Sequence, residues 1–284
     1  MCRVVFSIYL SLILVTVPSI NHHLHEAFSQ SQLYIDNSGV PGIEYGCVGG
    51  YYVGNQRNPV TVSHHGLSTF AKLNGTQDQE TLERFLNISD WLVANAVPKG
   101  NYSLLTYSFY WPTYDIQAPW QSGMAQARAL EVLGKAYELT SNQTYLDTAK
   151  SLLNSFFVEV KDGGVTYKTP NEGWWYEDFA DNGANPTRAL DGMMSAILSI
   201  NRYFENTNDL HAKFLFDQGV IALKNNLPLY DNNGYSYFDI LKRPSPPQYH
   251  AYQVGLLGRL LDIVGEDEIL RKYHDKWNKT IASE

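Results

Sequence analysis

Four glycines set the repeat that most restricts how this chain can fold. Gly66, Gly123, Gly192 and Gly255 follow one another at intervals of 57, 69 and 63 residues. They sit in small-residue segments, His65-Gly66-Leu67, Ser122-Gly123-Met124, Asp191-Gly192-Met193 and Val254-Gly255-Leu256. After each comes an apolar i, i+3, i+4 stripe, then a polar turn into a second helical stretch. The pattern predicts helix pairs at 60–73 with 77–96, 121–140 with 142–158, 186–205 with 208–226, and 249–264 with 266–281. Glycine inside a helix costs about 1 kcal/mol relative to alanine, so four at matching places predict close helix approach. Hairpins of this size stack neighbour on neighbour. The expected fold is all-α, an incomplete (α/α) toroid of four hairpins with inner and outer layers. The loops between pairs, 98–120, 159–185 and 227–248, would gather at one end of the inner ring.

Chemical punctuation agrees with this division. Asn185-Pro186 reads as an N-cap with proline at N1, where no amide donor is needed. Ser141, Asp209 and Gly265-Glu266 mark tight turns within pairs, and Pro98, Pro112 and Pro244 to Pro247 fall between pairs. Residues 30–58, rich in Gly and Tyr, read as an irregular or strand-like lead-in. The first 29 residues read as a signal peptide and its flank: Arg3 precedes an apolar stretch from Val4 to Val17, too short to span a bilayer. Residues 59–284 then form the helical domain. Export to the secretory pathway or outside the cell is the expectation, with membrane anchoring only if that segment stays uncleaved. Five sequons (Asn74, Asn87, Asn101, Asn142, Asn278) are compatible with export. Cys2 falls in the signal, leaving Cys47 alone and no disulfide expected in the mature chain.

A net charge of −8 disfavours nucleic acid as a partner, because phosphate binding needs a basic surface. The 20 Tyr and 6 Trp are more informative, since an aromatic face with a polar edge matches the C–H face of a pyranose. Their densest cluster is Glu172-Gly173-Trp174-Trp175-Tyr176-Glu177-Asp178-Phe179-Ala180-Asp181-Asn182, where vicinal carboxyls beside aromatic rings form an acid pair. Others are Tyr107 to Tyr114 with Trp120, Gln121 and Gln126; the Asn232-Asn233-Gly234 hairpin with Tyr230, Tyr235, Tyr237 and Phe238; and Tyr249-His250 with Tyr252. Adjacent His64 and His65 point apart and cannot share one metal, so no metal site is expected. No phosphate loop, nucleophile elbow or nicotinamide fingerprint is present.

Several segments together resemble the heparosan-type D-glucuronyl C5-epimerases, from about residue 58 to 280. They are Asn58-Pro59 through Ser68, Ser89-Asp90-Trp91-Leu92-Val93, Pro119-Trp120-Gln121-Ser122-Gly123-Met124-Ala125-Gln126, Trp175-Tyr176-Glu177-Asp178, Leu190-Asp191-Gly192, Leu227-Pro228-Leu229-Tyr230-Asp231 and Tyr249-His250. The β-sandwich of family members has no counterpart in residues 30–58. The resemblance implies cofactor-free inversion of C5 in glucuronate residues of a polysaccharide, with tyrosines and an acid as agents, and homodimerisation as in family members. Asp178 stands for the family's second acid and Tyr249 matches a tyrosine outright. Phe179 and Phe238 occupy places where the family has tyrosine, and His65 another. For chemistry the candidates are Tyr249, Glu177, Asp178, His65 and Tyr237. For the groove they are Trp120, Gln121, Gln126, Trp174, Trp175, Tyr176 and His250, with Arg188 to pair a uronate carboxylate. A lyase or glycoside hydrolase on the same toroid, or a non-catalytic glycan-binding protein, are the alternatives.

Overall fold

The first inner helix, α1 (Pro59–Thr76), starts where Asn58 turns its side chain onto the amides of Val60 and Thr61. Its left-handed cap at Gln77 ends it, and α2 (Gln79–Asn95) follows at once, capped by Asp78. The same grammar repeats in α3 (Gly123–Thr140) with α4 (Gln143–Asn154), α5 (Leu190–Thr207) with α6 (Leu210–Asn226), and α7 (Pro247–Val264) with α8 (Glu268–Ile281). Left-handed Ser141 and Asn208 turn the chain within the second and third pairs, and Asn142 and Asp209 cap the returning helices. The computed structural model describes residues 31–182 and 186–281. The signal-peptide reading, Cys2 and Asn185 lie outside these residues; Cys47 is disulfide-bonded, where the sequence reading expects no disulfide.

α1, α3, α5 and α7 lie side by side in chain order, and each packs against its own outer partner. The result is the incomplete (α/α) toroid, and its two central inner helices are buried nearly all round. From Leu190 to Asn201 every residue of α5 is buried, as expected for a helix covered on all sides. Across the outer layer the apolar faces are one-sided, so α8 hides only Leu270, Tyr273 and Trp277.

Most boundaries fall within three residues of the sequence expectation, and two differ by four. α5 begins at Leu190 rather than Pro186 because Thr187 and Arg188 are held outside the helix by the Glu177 carboxylate, Arg188 with φ 46°. α4 stops at Asn154, and Ser155–Phe157 tightens into a 3₁₀ turn.

The lead-in forms strands β1 (Gln32–Ile35), β2 (Pro41–Glu44) and β5 (Asn55–Gln56) of one sheet, with a separate hairpin of β3 (Cys47–Val48) and β4 (Tyr51–Tyr52). After α2, β6 (Val97–Lys99) pairs with β7 (Tyr102–Leu104), and β8 (Thr106–Tyr107) with β9 (Trp120–Gln121). Hairpins β10 (Thr166–Thr169)–β11 (Gly173–Tyr176) and β12 (Asp231–Asn232)–β13 (Tyr235–Ser236) fill the other two loops. In the last, Asn233 and Gly234 take φ of 54° and 98°, the turn expected of Asn-Gly.

The repeat glycines divide by use. A Cβ on Gly66 would lie 3.0 Å from Ile88 and 3.3 Å from Val132, so here glycine does bring helices together. At Gly123 the close neighbours are the Glu177 carbonyl and Tyr176, and at Gly192 they belong to Asp178, so these two admit the acidic loop rather than a helix. Gly255 has nothing within 4 Å, because α7 is the last inner helix among the described residues and its outer flank is open there. Gly255→Ala is therefore expected to stabilise the protein by up to about 1 kcal/mol, through removal of glycine's entropy cost in a helix. A melting-temperature rise of about 2–4 °C per kcal/mol in a domain of this size would register it.

Candidate active site

The N-terminal ends of the inner helices meet at one mouth, and side-chain bonds stitch them together. Asn58, the cap of α1, accepts from the Tyr107 hydroxyl at 2.9 Å. Tyr107 stacks on Trp120 with centroids 3.8 Å apart. Ser122 caps α3 through the Ala125 amide and donates its hydroxyl to Asp178 at 2.5 Å. Asp178 in turn packs over Gly192 of α5, where a Cβ would stand 2.6 Å from its own.

Into this mouth three inner helices project polar groups. Asp191 and Ser195 are i, i+4 on α5, and Tyr249 and Tyr252 are i, i+3 on α7, so each pair shares a helix face. Arg128, on α3, donates to the Tyr252 hydroxyl at 3.2 Å, and Tyr252 lies 3.3 Å from the Ser195 hydroxyl. Tyr249 is only 5% exposed and Asp191 8%. Yet the Tyr249 hydroxyl, Asp191 Oδ1 and Arg128 Nε have no hydrogen-bond partner. Buried polar atoms are paired as a rule, so three orphans converging on one place are the signature of a ligand site.

Electrostatics binds the group together. Burial pushes the Asp178 carboxyl up to about 6, against the Ser122 hydroxyl and the Arg128 charge. Burial, then the neighbouring Asp178 charge, pushes Asp191 to about 7. Tyr249 is held well above the ordinary phenol range by burial and by Asp191, so it carries its proton. A proton donor thus faces carboxyls poised to accept near neutral pH.

Glu177, adjacent to Asp178, faces the other way. Its Oε1 accepts from the Thr187 hydroxyl at 2.7 Å and from the amides of Asp178, Phe179 and Arg188, and Oε2 accepts from the Arg188 amide. It is fully buried, and that burial raises it to about 7. This carboxyl fastens the acidic loop to the start of α5. Glu177→Ala is expected to cost about 3 kcal/mol or more, because several buried donors lose their acceptor at about 1–3 kcal/mol each. Glu177→Gln, which keeps a carbonyl, should lose much less, and urea unfolding of the two variants measures the gap.

The other sequence candidates spread across the fold. Trp120 forms a wall beneath the mouth, its indole N–H bonded to the Phe109 carbonyl. Gln121 pairs through its backbone with Ala180, and buried Gln126 grips both backbone groups of Leu105. Trp175 stacks on Tyr230, and the Tyr176 hydroxyl bonds the Leu215 carbonyl in the core. Trp174, pointing oppositely from β11, packs with Phe157 and Phe214 by the outer helix α6. There it lines a cleft of about 510 Å³ with Lys168 and Gln218. Arg188 reaches Asn226 and lies over Tyr167. His250 is locked between Ser236 and Thr280 and stacks on Tyr235. Tyr237 lies under the Lys242 ammonium. Partial burial, then the charge of Arg84 on α2, lowers the proton affinity of His65. Phe179 stacks on Trp120, and Phe238 meets the Tyr249 ring edge-on at 5.5 Å. So Asp178 and Tyr249 come together, with Tyr252 from the same sequence cluster as Tyr249, while Asp191, Arg128 and Ser195 complete the site without having been proposed for it from the sequence. Asp191 hid as an ordinary first-turn acid.

Comparison with known proteins agrees with the fold. The family described as D-glucuronyl C5-epimerase C-terminus matches residues 99–279. An uncharacterized protein of Methanocaldococcus jannaschii is 30% identical over 264 residues, 86% of this chain and 84% of that protein. The D-glucuronyl C5-epimerase of Caenorhabditis elegans is 27% identical over 231 residues, 74% of this chain but only 37% of that enzyme. Among solved structures, a sugar epimerase from a ruminal bacterium aligns with TM-score 0.57 at 12% identity, over 79% of this chain and 59% of that one. An unsaturated glucuronyl hydrolase specific for heparin aligns with TM-score 0.56 at 14% identity, over 79% and 62%. At such identities the likeness is one of fold.

Proposed function

The chain belongs to the D-glucuronyl C5-epimerase C-terminal family, and on that premise we propose that it exchanges and inverts the C5 hydrogen of a uronate residue in a polysaccharide. The observation that carries this reading is the buried, unpartnered Tyr249 hydroxyl facing Asp191 and Asp178. In the proposed reaction ionised Asp191 takes the C5 proton, and the electron pair left behind delocalises into the adjacent carboxyl. Tyr249 then gives its proton to C5 from the other side, and solvent restores both groups. Asp178 raises the basicity of Asp191, and Ser122 fixes Asp178. Phenylalanine at 179 and 238 transfers no proton, so the chemistry falls to residues on the inner helices. Export is part of the proposal, supported by sequon asparagines that are all exposed.

Incubation with heparosan and other glucuronans in deuterated water tests it: deuterium at C5 is the expected result, and none with any uronan counts against it. The carboxyl pair on this fold also suits hydrolysis, which new reducing ends would reveal.

The site's titration has two opposite consequences. Folding raises Asp178 and Asp191 from 3.8, and Glu177 from 4.5, to about 6, 7 and 7. Between about pH 4 and 7 the folded protein therefore binds more protons than the unfolded chain, so stability falls as pH rises through that window. Melting should occur at a higher temperature at pH 5 than at pH 8. Exchange activity should move the other way, rising through pH 6–7 as Asp191 ionises.

A further inference from the structure

We propose that Arg128 is the anion receptor of this site and makes it select sugars bearing a carboxylate over neutral hexoses. This rests on the uronate reading of the mouth, though not on the reaction performed there. A guanidinium offers five donors in a rigid plane. In Arg128 one Nη reaches the Tyr252 hydroxyl, whereas Nε is buried and bonded to nothing. Among the described residues no carboxylate forms an ion pair with it, although Asp178 and Asp191 both feel its charge.

The arginines around it are engaged differently. Arg202 lies 3.3 Å from Glu131, and Arg243 pairs with Asp239. A buried Nε donor left without an acceptor is costly, unless a ligand supplies one. The free Nε edge suits the paired oxygens of a carboxylate. Tyr252, which accepts from one Nη, is itself in contact with the Ser195 hydroxyl. A carboxylate seated there would have its charge neutralised within reach of Asp191 and Tyr249. A hexose with a C6 alcohol would leave the cation unanswered.

The test compares binding of a β-linked glucuronan tetrasaccharide with that of the same tetrasaccharide reduced to alcohols at C6, by calorimetry on the full chain. The wild-type protein should prefer the acid on the order of 10- to 100-fold, as one charge-assisted bidentate contact allows. Arg128→Gln should cut the ratio to about 3-fold or less, and Arg128→Lys, which keeps the charge but not the fork, should fall between. Melting curves establish that each variant is folded, and the lysine variant decides if the glutamine variant is not. No preference or no binding in the wild-type protein overturns the proposal, as does a preference that survives in folded variants. Deuterium incorporation at C5 is scored on the same wild-type sample. Preference without exchange sinks the epimerase reading and leaves Arg128 its role; exchange without preference does the reverse.

Discussion

Asp191→Asn is expected to slow C5 exchange by about 10²- to 10⁴-fold, the usual range for loss of a general base. At pH 8 the same variant should melt at a higher temperature than the parent. Burial, and then the charge of neighbouring Asp178, pushes the Asp191 carboxyl up to about 7. Above that pH the native fold holds two neighbouring carboxylates that, among the described residues, form no ion pair with a cation, an unfavourable arrangement that asparagine relieves at almost unchanged shape. Activity and stability should therefore separate, as they do where a strained site serves function. Deuterium uptake followed by NMR, with melting curves at pH 5 and 8, reads both. An undiminished rate would remove Asp191 from the chemistry, and a lower melting temperature at pH 8 would make it a structural acid.

Gly192→Ala is expected to damage fold and site together. The added methyl would sit 2.6 Å from Asp178 Cβ and 2.7 Å from its Cγ, closer than atoms can approach. Asp178 would have to withdraw and release Ser122, which caps α3. Overpacking together with a lost buried hydrogen bond sums to about 2–4 kcal/mol. Displacing a reacting group by an ångström costs about 10²-fold in rate. Urea unfolding measures the first, and deuterium uptake the second. Gly255→Ala, at the equivalent place in the repeat, is the matched control because its added methyl meets only open space.

The helical frame was readable because its signals are local. Asn58, Asp209 and the Asn233-Gly234 turn act on neighbours a few residues away, and each element lies where such signals put it. The glycine repeat marked the inner helices, but one chemical signal covered three physical uses: Gly66 for helix contact, Gly192 for Asp178, and Gly255 for neither. The acidic motif was harder because adjacency in sequence is not adjacency in space. β11 is extended up to Tyr176, so neighbouring side chains go to opposite faces. Trp174 and Trp175 part company there, and Glu177 and Asp178 diverge directly after it. Arg128 carried no signal, since a lone arginine amid alanines on α3 reads as a solvated face. Its meaning depends on Tyr252, 124 residues further on.

That separation bears on how the protein fails. Arg128 comes from the second hairpin, Asp191 and Ser195 from the third, Tyr249 and Tyr252 from the fourth. In a stack where each hairpin leans on its neighbours, unfolding begins at the ends, and the last hairpin has an open flank at Gly255. The phenols therefore ride on the unit first to fray, so heat should extinguish the chemistry while the middle of the ring is still intact.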